Sequence, residues 1–265
     1  MKFKMTSLAL SFLIAGGAAH SFGEKAQPYR SDFVYCHDSS LEVEGPVTAE
    51  DWQQIRKHPV RTVHTLGNAD PDLFENPTNL KGVREAILMS TADNSKALSS
   101  LAKNFPNLEE LAVSQPAPLT QADMRNIHQM NQLFFLEICN DVPDCASFAA
   151  SLPPNLKRLL LENTGVAAAS TCRVNLPALT YFSLRKSKMS QKFLEGLNAP
   201  NLEEVSLSRV WGEPGTFQSF ARFPKLKRVF AYNMPQSAIT DLQDLQRVCP
   251  SMSVVIGDST VGKFQ

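Results

Sequence analysis

Few side chains in this sequence have types and spacings that could do chemistry. The sulfur and imidazole groups are Cys36, Cys139, Cys145, Cys172, Cys249 and His20, His37, His58, His64, His128. Cys36-His37-Asp38 places a thiol, an imidazole and a carboxylate in a row. Neighbours on a strand point to opposite faces, however, and nucleophilic triads converge in space rather than along the chain. No Cys-x-x-Cys, His-Glu-x-x-His or His-x-x-x-His spacing offers a metal ion a chelate, and no Gly-x-Ser-x-Gly elbow is present. The tail Gly257-Asp258-Ser259-Thr260-Val261-Gly262-Lys263 has the spacing of a phosphate-binding loop, but Phe264 stands where the magnesium-binding hydroxyl is needed and Gln265 leaves no helix to face a phosphate. The expectation is a non-enzymatic protein with no metal and no cofactor.

Composition narrows the class further. The 265 residues carry 26 Lys+Arg against 26 Asp+Glu, and 43% are hydrophobic. That is enough apolar material for a core, while zero net charge gives no electrostatic reason to expect nucleic acid as a partner. Lys2 and Lys4 precede an apolar run from Met5 to Ala19 and then small residues, the three-part layout of a secretory signal. The run is shorter than the about 20 residues a bilayer span needs. Residues 1–23 are therefore expected to be a signal peptide and the mature chain to be exported, periplasmic or secreted, without a membrane span. The sequence has no Asn-x-Ser/Thr acceptor except Asn76-Pro77-Thr78, which proline disqualifies, and this favours a bacterial over a eukaryotic setting.

What must position any functional side chain is a short recurring phrase of apolar residues. It reads Leu108-x-x-Leu111-x-Val113, Leu133-x-x-Leu136-x-Ile138, Leu156-x-x-Leu159-x-Leu161, Leu179-x-x-Phe182-x-Leu184, Leu202-x-x-Val205-x-Leu207 and Leu226-x-x-Val229-x-Ala231, with weaker copies from Val60, Val83 and Met252. The anchors follow one another at 23 to 26 residues. Six have proline two positions earlier (Pro106, Pro154, Pro177, Pro200, Pro224, Pro250); proline stops the preceding segment and delivers the chain in extended form. Helical stretches lie between, at Ser95–Lys103, Thr120–Met130, Ser190–Leu197 and Ser237–Val248, each opened by a Ser or Thr suited to cap it.

This pattern resembles the leucine-rich repeat family, whose units of 20–29 residues each supply one strand and a helical return. The resemblance covers roughly residues 59–258. It implies an α/β solenoid with a curved parallel sheet of about nine strand-helix repeats over residues 58–265. Residues 24–57, with strand-like Phe33-Val34-Tyr35 and a helix opened by Thr48, form an N-terminal cap in this reading. The family's Asn ladder is replaced at its ninth position by Asn68, Thr91, Pro116, Asp141, Thr164, Ser187, Val210, Met234 and Thr260, of which only some can bond neighbouring backbone.

In such repeats the residues between the apolar strand positions face a concave surface. They form three columns here: Thr62, Glu85, Glu110, Phe135, Arg158, Tyr181, Glu204, Arg228, Val254; then His64, Ile87, Ala112, Glu137, Leu160, Ser183, Ser206, Phe230, Ile256; then Leu66, Met89, Ser114, Cys139, Glu162, Arg185, Ser208, Tyr232, Asp258. Aromatic and Arg side chains concentrate binding energy, so Phe135, Arg158, Tyr181, Arg185, Arg228, Phe230 and Tyr232 are the expected contact residues for a protein partner, in a locally basic, aromatic patch. A carbohydrate or cell-wall polymer on the same face is the competing expectation, and cross-strand stacking that merely stabilises the sheet is the third. Cys145 and Cys172 fall on the convex sides of adjacent repeats and are the first candidates for a disulfide, with Cys139–Cys145 as rival. Cys249 takes an apolar slot equivalent to Phe223 and should be buried.

Overall fold

The computed structural model describes residues 29–257 apart from 68, 70, 71, 76, 77, 79, 91–93 and 169–171. The proposed signal peptide, His20 and the tail beyond Gly257, with Asp258 and Thr260, lie outside these described residues. The chain is a mixed α/β protein built on one 12-stranded sheet. β1 (Tyr29–Arg30) and β2 (Val34–His37) enter antiparallel, and β3 (Ser40–Val43) turns the sheet parallel by pairing with β4 (Thr62–Gly67). There follow β5 (Glu85–Ser90), β6 (Glu110–Ser114), β7 (Phe135–Cys139), β8 (Arg158–Glu162), β10 (Tyr181–Arg185), β12 (Glu204–Ser208), β13 (Arg228–Tyr232) and β14 (Ser253–Gly257). Each of these pairs with its predecessor in sheet order, as parallel neighbours. A separate two-stranded ladder joins β9 (Val174–Asn175) to β11 (Leu197–Asn198). Strands alternate with returns in a solenoid-like α/β arrangement.

The anchor residues act through backbone as well as burial. The amides of Val83, Leu108, Leu133, Leu156, Leu179, Leu202, Leu226 and Met252 each donate to the carbonyl three residues earlier, closing a tight turn into the next strand. The exits of β7, β8, β10, β12 and β13 share a second device. Asn140, Asn163, Lys186, Arg209 and Asn233, each just past a strand, take left-handed φ between 47° and 139°. Their amides donate to the last carbonyl of the next strand, from Asn140 to Glu162, Asn163 to Arg185, Lys186 to Ser208, Arg209 to Tyr232 and Asn233 to Gly257. Asn tolerates that conformation, whereas Lys and Arg meet a Cβ penalty of about 1–2 kcal/mol. Among the ninth-position residues, Asp141 accepts from the amide of Gly165 at 2.5 Å and Ser187 from that of Thr164 at 3.1 Å. These two side chains tie adjacent circuits of the chain together.

Returns are less regular than the sequence predicts. α1 (Ala49–Ile55) begins at Thr48 with a full capping box to Asp51, and α3 (Gln121–Gln129) has the same box between Thr120 and Asp123. α5 (Gln191–Gly196) starts at Ser190 as expected. α2 (Ser95–Asn104) and α6 (Gln236–Val248) instead have Asn94 and Pro235 at the cap position without a side-chain bond, so Ser95 and Ser237 are not caps. α4 (Cys145–Ser151), capped by Asp144, is not foreseen by the apolar pattern. Elsewhere the return is 3₁₀, at Leu73–Glu75, Val166–Ala168 and Thr216–Arg222. One apolar layer, from Val34 to Met252, runs through the molecule between sheet and returns.

One expected register is wrong. Arg228 pairs with Ser253 and Phe230 with Val255, so Val254 and Ile256 lie opposite the inward Val229 and Ala231. A one-residue shift reverses every side chain of a strand, and the columns end in Ser253, Val255 and Gly257 instead. The cause lies in the weak anchor: Met252 remains buried, but the chain reaches the sheet one residue sooner.

Cys145 and Cys172 approach to a Cα separation of 5.3 Å across 27 residues of sequence, a disulfide-compatible geometry. Cys36 is buried, while Cys139 and Cys249 are half-buried and unpaired, so Cys249 is less enclosed than expected. Gly196 sits against this bridge: a Cβ there would collide with the carbonyl oxygen of Cys172. Gly196→Ala should therefore lower unfolding stability by about 1–3 kcal/mol in a denaturant titration. Non-reducing mass mapping should find the 145–172 linkage and an intact mass two protons below the reduced chain; a link from Cys139 to Cys145 would overturn the pairing.

Candidate functional site

The face of the sheet opposite the apolar layer carries the three columns, and the ladder registers place their members side by side. Phe135, Arg158 and Tyr181 are direct neighbours across β7, β8 and β10. The Arg158 guanidinium lies 5.0 Å from the Phe135 ring centroid and 5.3 Å from that of Tyr181. Cation–π contact of this kind contributes about 0.5–2 kcal/mol and fixes a side chain that would otherwise sample many rotamers. On β13, Phe230 and Tyr232 stack with centroids 6.5 Å apart and planes 6° from parallel. β12, between the two groups, presents Glu204, Ser206 and Ser208. The expected residues thus come together as two aromatic clusters separated by one strand.

The middle column is not solvated as the sequence pattern suggests. Glu137, Leu160 and Ser183 are buried. They share a strand face with Phe135, Arg158 and Tyr181 on one side and Cys139, Glu162 and Arg185 on the other. Ser183 Oγ is buried without a hydrogen-bond partner.

The basic character expected of the patch is largely compensated. Arg185 lies 3.9 Å from Glu162, which also takes Lys186 at 2.6 Å, and Arg228 pairs with Glu204 at 2.7 Å. Toward β4 the same face is acidic. Glu85, Glu110 and Glu137 line a cavity of about 240 Å³ above Ala112, together with Ile87, Phe135, Arg158, Leu160 and His64 among others. Glu42 of β3 pairs with His64 in the ladder, its carboxylate 4.0 Å from the imidazole, so the acidic zone extends onto β3. Sequence reasoning gave weight to the aromatic residues and missed this cavity. The signal that could have shown it is the pair Glu85 and Glu110 in adjacent copies, beside Ala112, the smallest member of its column.

Burial first, and the nearby Glu85 second, raise the Glu110 carboxyl above its ordinary range, with Arg158 opposing. Burial likewise raises Glu137, with Arg185 and the Cys139 thiol opposing. Cys139 Sγ reaches Glu137 Oε1 at 3.6 Å, and burial, then Glu137 and Glu162, push that thiol up to about 12. Glu137, Cys139 and Glu162 each bring a potential ligand atom within 4.8 Å of the others. Lys186 and Arg185 already supply Glu162 with positive charge, so this trio is a hydrogen-bonded network with its own cations. Cys36 and His37 point oppositely on β2, one into the core and one to solvent, and burial pushes the Cys36 thiol up to about 11. The Cys36 thiol is therefore turned away from His37 and Asp38, whose Nδ1 and Oδ2 lie 3.3 Å apart.

No protein-family model matches the chain, and no curated protein matches it in sequence.

The raised carboxyl of Glu137 has a calculable sign. The folded state holds its proton to higher pH than the unfolded chain, so stability is lost as pH rises from the ordinary Glu value through the folded one. Glu137→Gln should be more stable than the parent at neutral pH, the advantage vanishing below the carboxylate range. Chemical denaturation at a series of pH values checks this; a constant difference would assign the effect to packing.

Proposed function

We propose that this chain is an exported leucine-rich-repeat solenoid that binds another protein on its open sheet face and catalyses no reaction. Sequential parallel strands, the repeated turn into each strand and the recurrent left-handed exit support the repeat reading. The apolar N-terminal run and the disulfide-compatible Cys145 and Cys172 support export to an oxidising compartment. Among the described residues no helix is long and apolar enough to cross a membrane.

The observation that carries the binding reading is the pre-stacked Phe135–Arg158–Tyr181 row beside the Phe230–Tyr232 pair. Large rings and a guanidinium held in place are what interface hot spots are made of. Nine strands about 4.8 Å apart and five residues long give a face of roughly 700 Å², close to the about 800 Å² each partner contributes to a standard protein interface. A sugar polymer would need open ring faces in line, and Arg158 already occupies the space between Phe135 and Tyr181.

The test is affinity capture from envelope or host extracts with the mature protein and with Tyr181→Ala/Phe230→Ala/Tyr232→Ala. Partners recovered by the parent should fall at least tenfold in the triple variant, provided its melting curve is unchanged. Equal recovery by both would sink the assignment of the face.

A further inference from the structure

The two halves of the open face differ in how their carboxylates are satisfied. On β8 and β12, Glu162 and Glu204 each have a cation within 4.0 Å. On β5, β6 and β7, Glu85, Glu110 and Glu137 have none among the described residues: Glu85 accepts only from Thr62 Oγ1 at 3.1 Å, and Glu137 only from the Cys139 thiol. Glu137 is 8% exposed; the charge of Arg185 acts on it from a distance, but no cation pairs with it within 4.0 Å among the described residues. Burying a carboxylate in that condition is costly unless a cation arrives to complete it.

All three line the cavity above Ala112, where Arg158 at one wall acts on Glu110 and leaves three carboxylates facing one guanidinium. At about 240 Å³ it falls below the roughly 300–1,000 Å³ of sites for whole small molecules and suits one long side chain. Its apolar lining, Ile87, Ala112 and Leu160, would take a methylene stem, with the Phe135 ring, already stacked by Arg158, forming one wall. Lysine brings a compact, strongly hydrated charge; a guanidinium is more weakly hydrated, stacks on rings and presents donors in several directions at once. Several separated carboxylates on different strands match the second.

We propose that this cavity is the specificity pocket of the face and receives an arginine side chain of the protein partner. The proposal rests on the binding role assigned to the open face and names the chemistry of what binds there. The aromatic clusters would then supply area, while the pocket selects.

The probe is Nα-acetyl-arginine methylamide titrated into the protein with isotope-labelled methyl groups, against its citrulline analogue, which keeps the shape and lacks the charge. Saturable shifts should centre on Ile87 and Ala112, with affinity at least fivefold weaker for citrulline and for Glu110→Gln. Ala112→Leu, which fills the cavity and leaves every charge in place, should abolish them while the spectrum of β10 to β13 is preserved. Equal response to citrulline, shifts centred elsewhere, or binding that survives Ala112→Leu would overturn the pocket. Affinity capture with Ala112→Leu separates the two levels. A partner retained by Ala112→Leu but lost by the Tyr181/Phe230/Tyr232 variant removes the pocket and leaves the face, whereas a partner unaffected by either removes both.

Discussion

Parallel register is the constraint on which every other property of this molecule depends. A strand of this sheet can present the same three side chains beside its neighbour's only if each circuit of chain returns in phase, because side chains alternate and a slip of one residue exchanges core for surface. Phase is set at both ends of the strand by backbone hydrogen bonds. The anchor amide fixes entry by bonding the carbonyl three residues back, and the left-handed residue fixes exit by bonding the neighbouring strand. Between these points the circuit is free to vary, which is why α-helix, 3₁₀ turn and a short extra strand can all serve as returns without disturbing the ladder.

That division explains what was legible in the sequence. Strands β4 to β8, β10, β12 and β13 each start two residues beyond an anchor, because apolar spacing and proline report directly on entry geometry. β14 does not, since Met252 is followed by Ser253 and Val254, where apolar and polar positions no longer alternate clearly. Capping was readable at Thr48, Thr120 and Ser190, where a hydroxyl and a suitable neighbour coincide. It misled at Ser95 and Ser237, where the preceding residue takes the boundary.

The face was only half legible for a different reason. Column membership follows from period two, and Phe135, Arg158 and Tyr181 meet as their positions require. Burial on that face does not follow from periodicity. Glu137 and Ser183 are buried in the middle of a face whose neighbours on both sides belong to other strands, a three-dimensional effect that the pattern of one strand does not contain. The cavity above Ala112 is of the same kind: a short side chain among long ones leaves space that no one-dimensional pattern marks.

The guanidinium held between two rings has a further meaning for association. Arg158 has given up its rotamers during folding, and Phe135 and Tyr181 have given up theirs with it. The conformational entropy that a flexible surface would surrender on meeting a partner, about 0.5–1.5 kcal/mol for each mobile side chain, is already spent. Such a face behaves as a die rather than a glove. It gains affinity from any partner whose relief already fits, and it has little capacity to remould itself around one that does not.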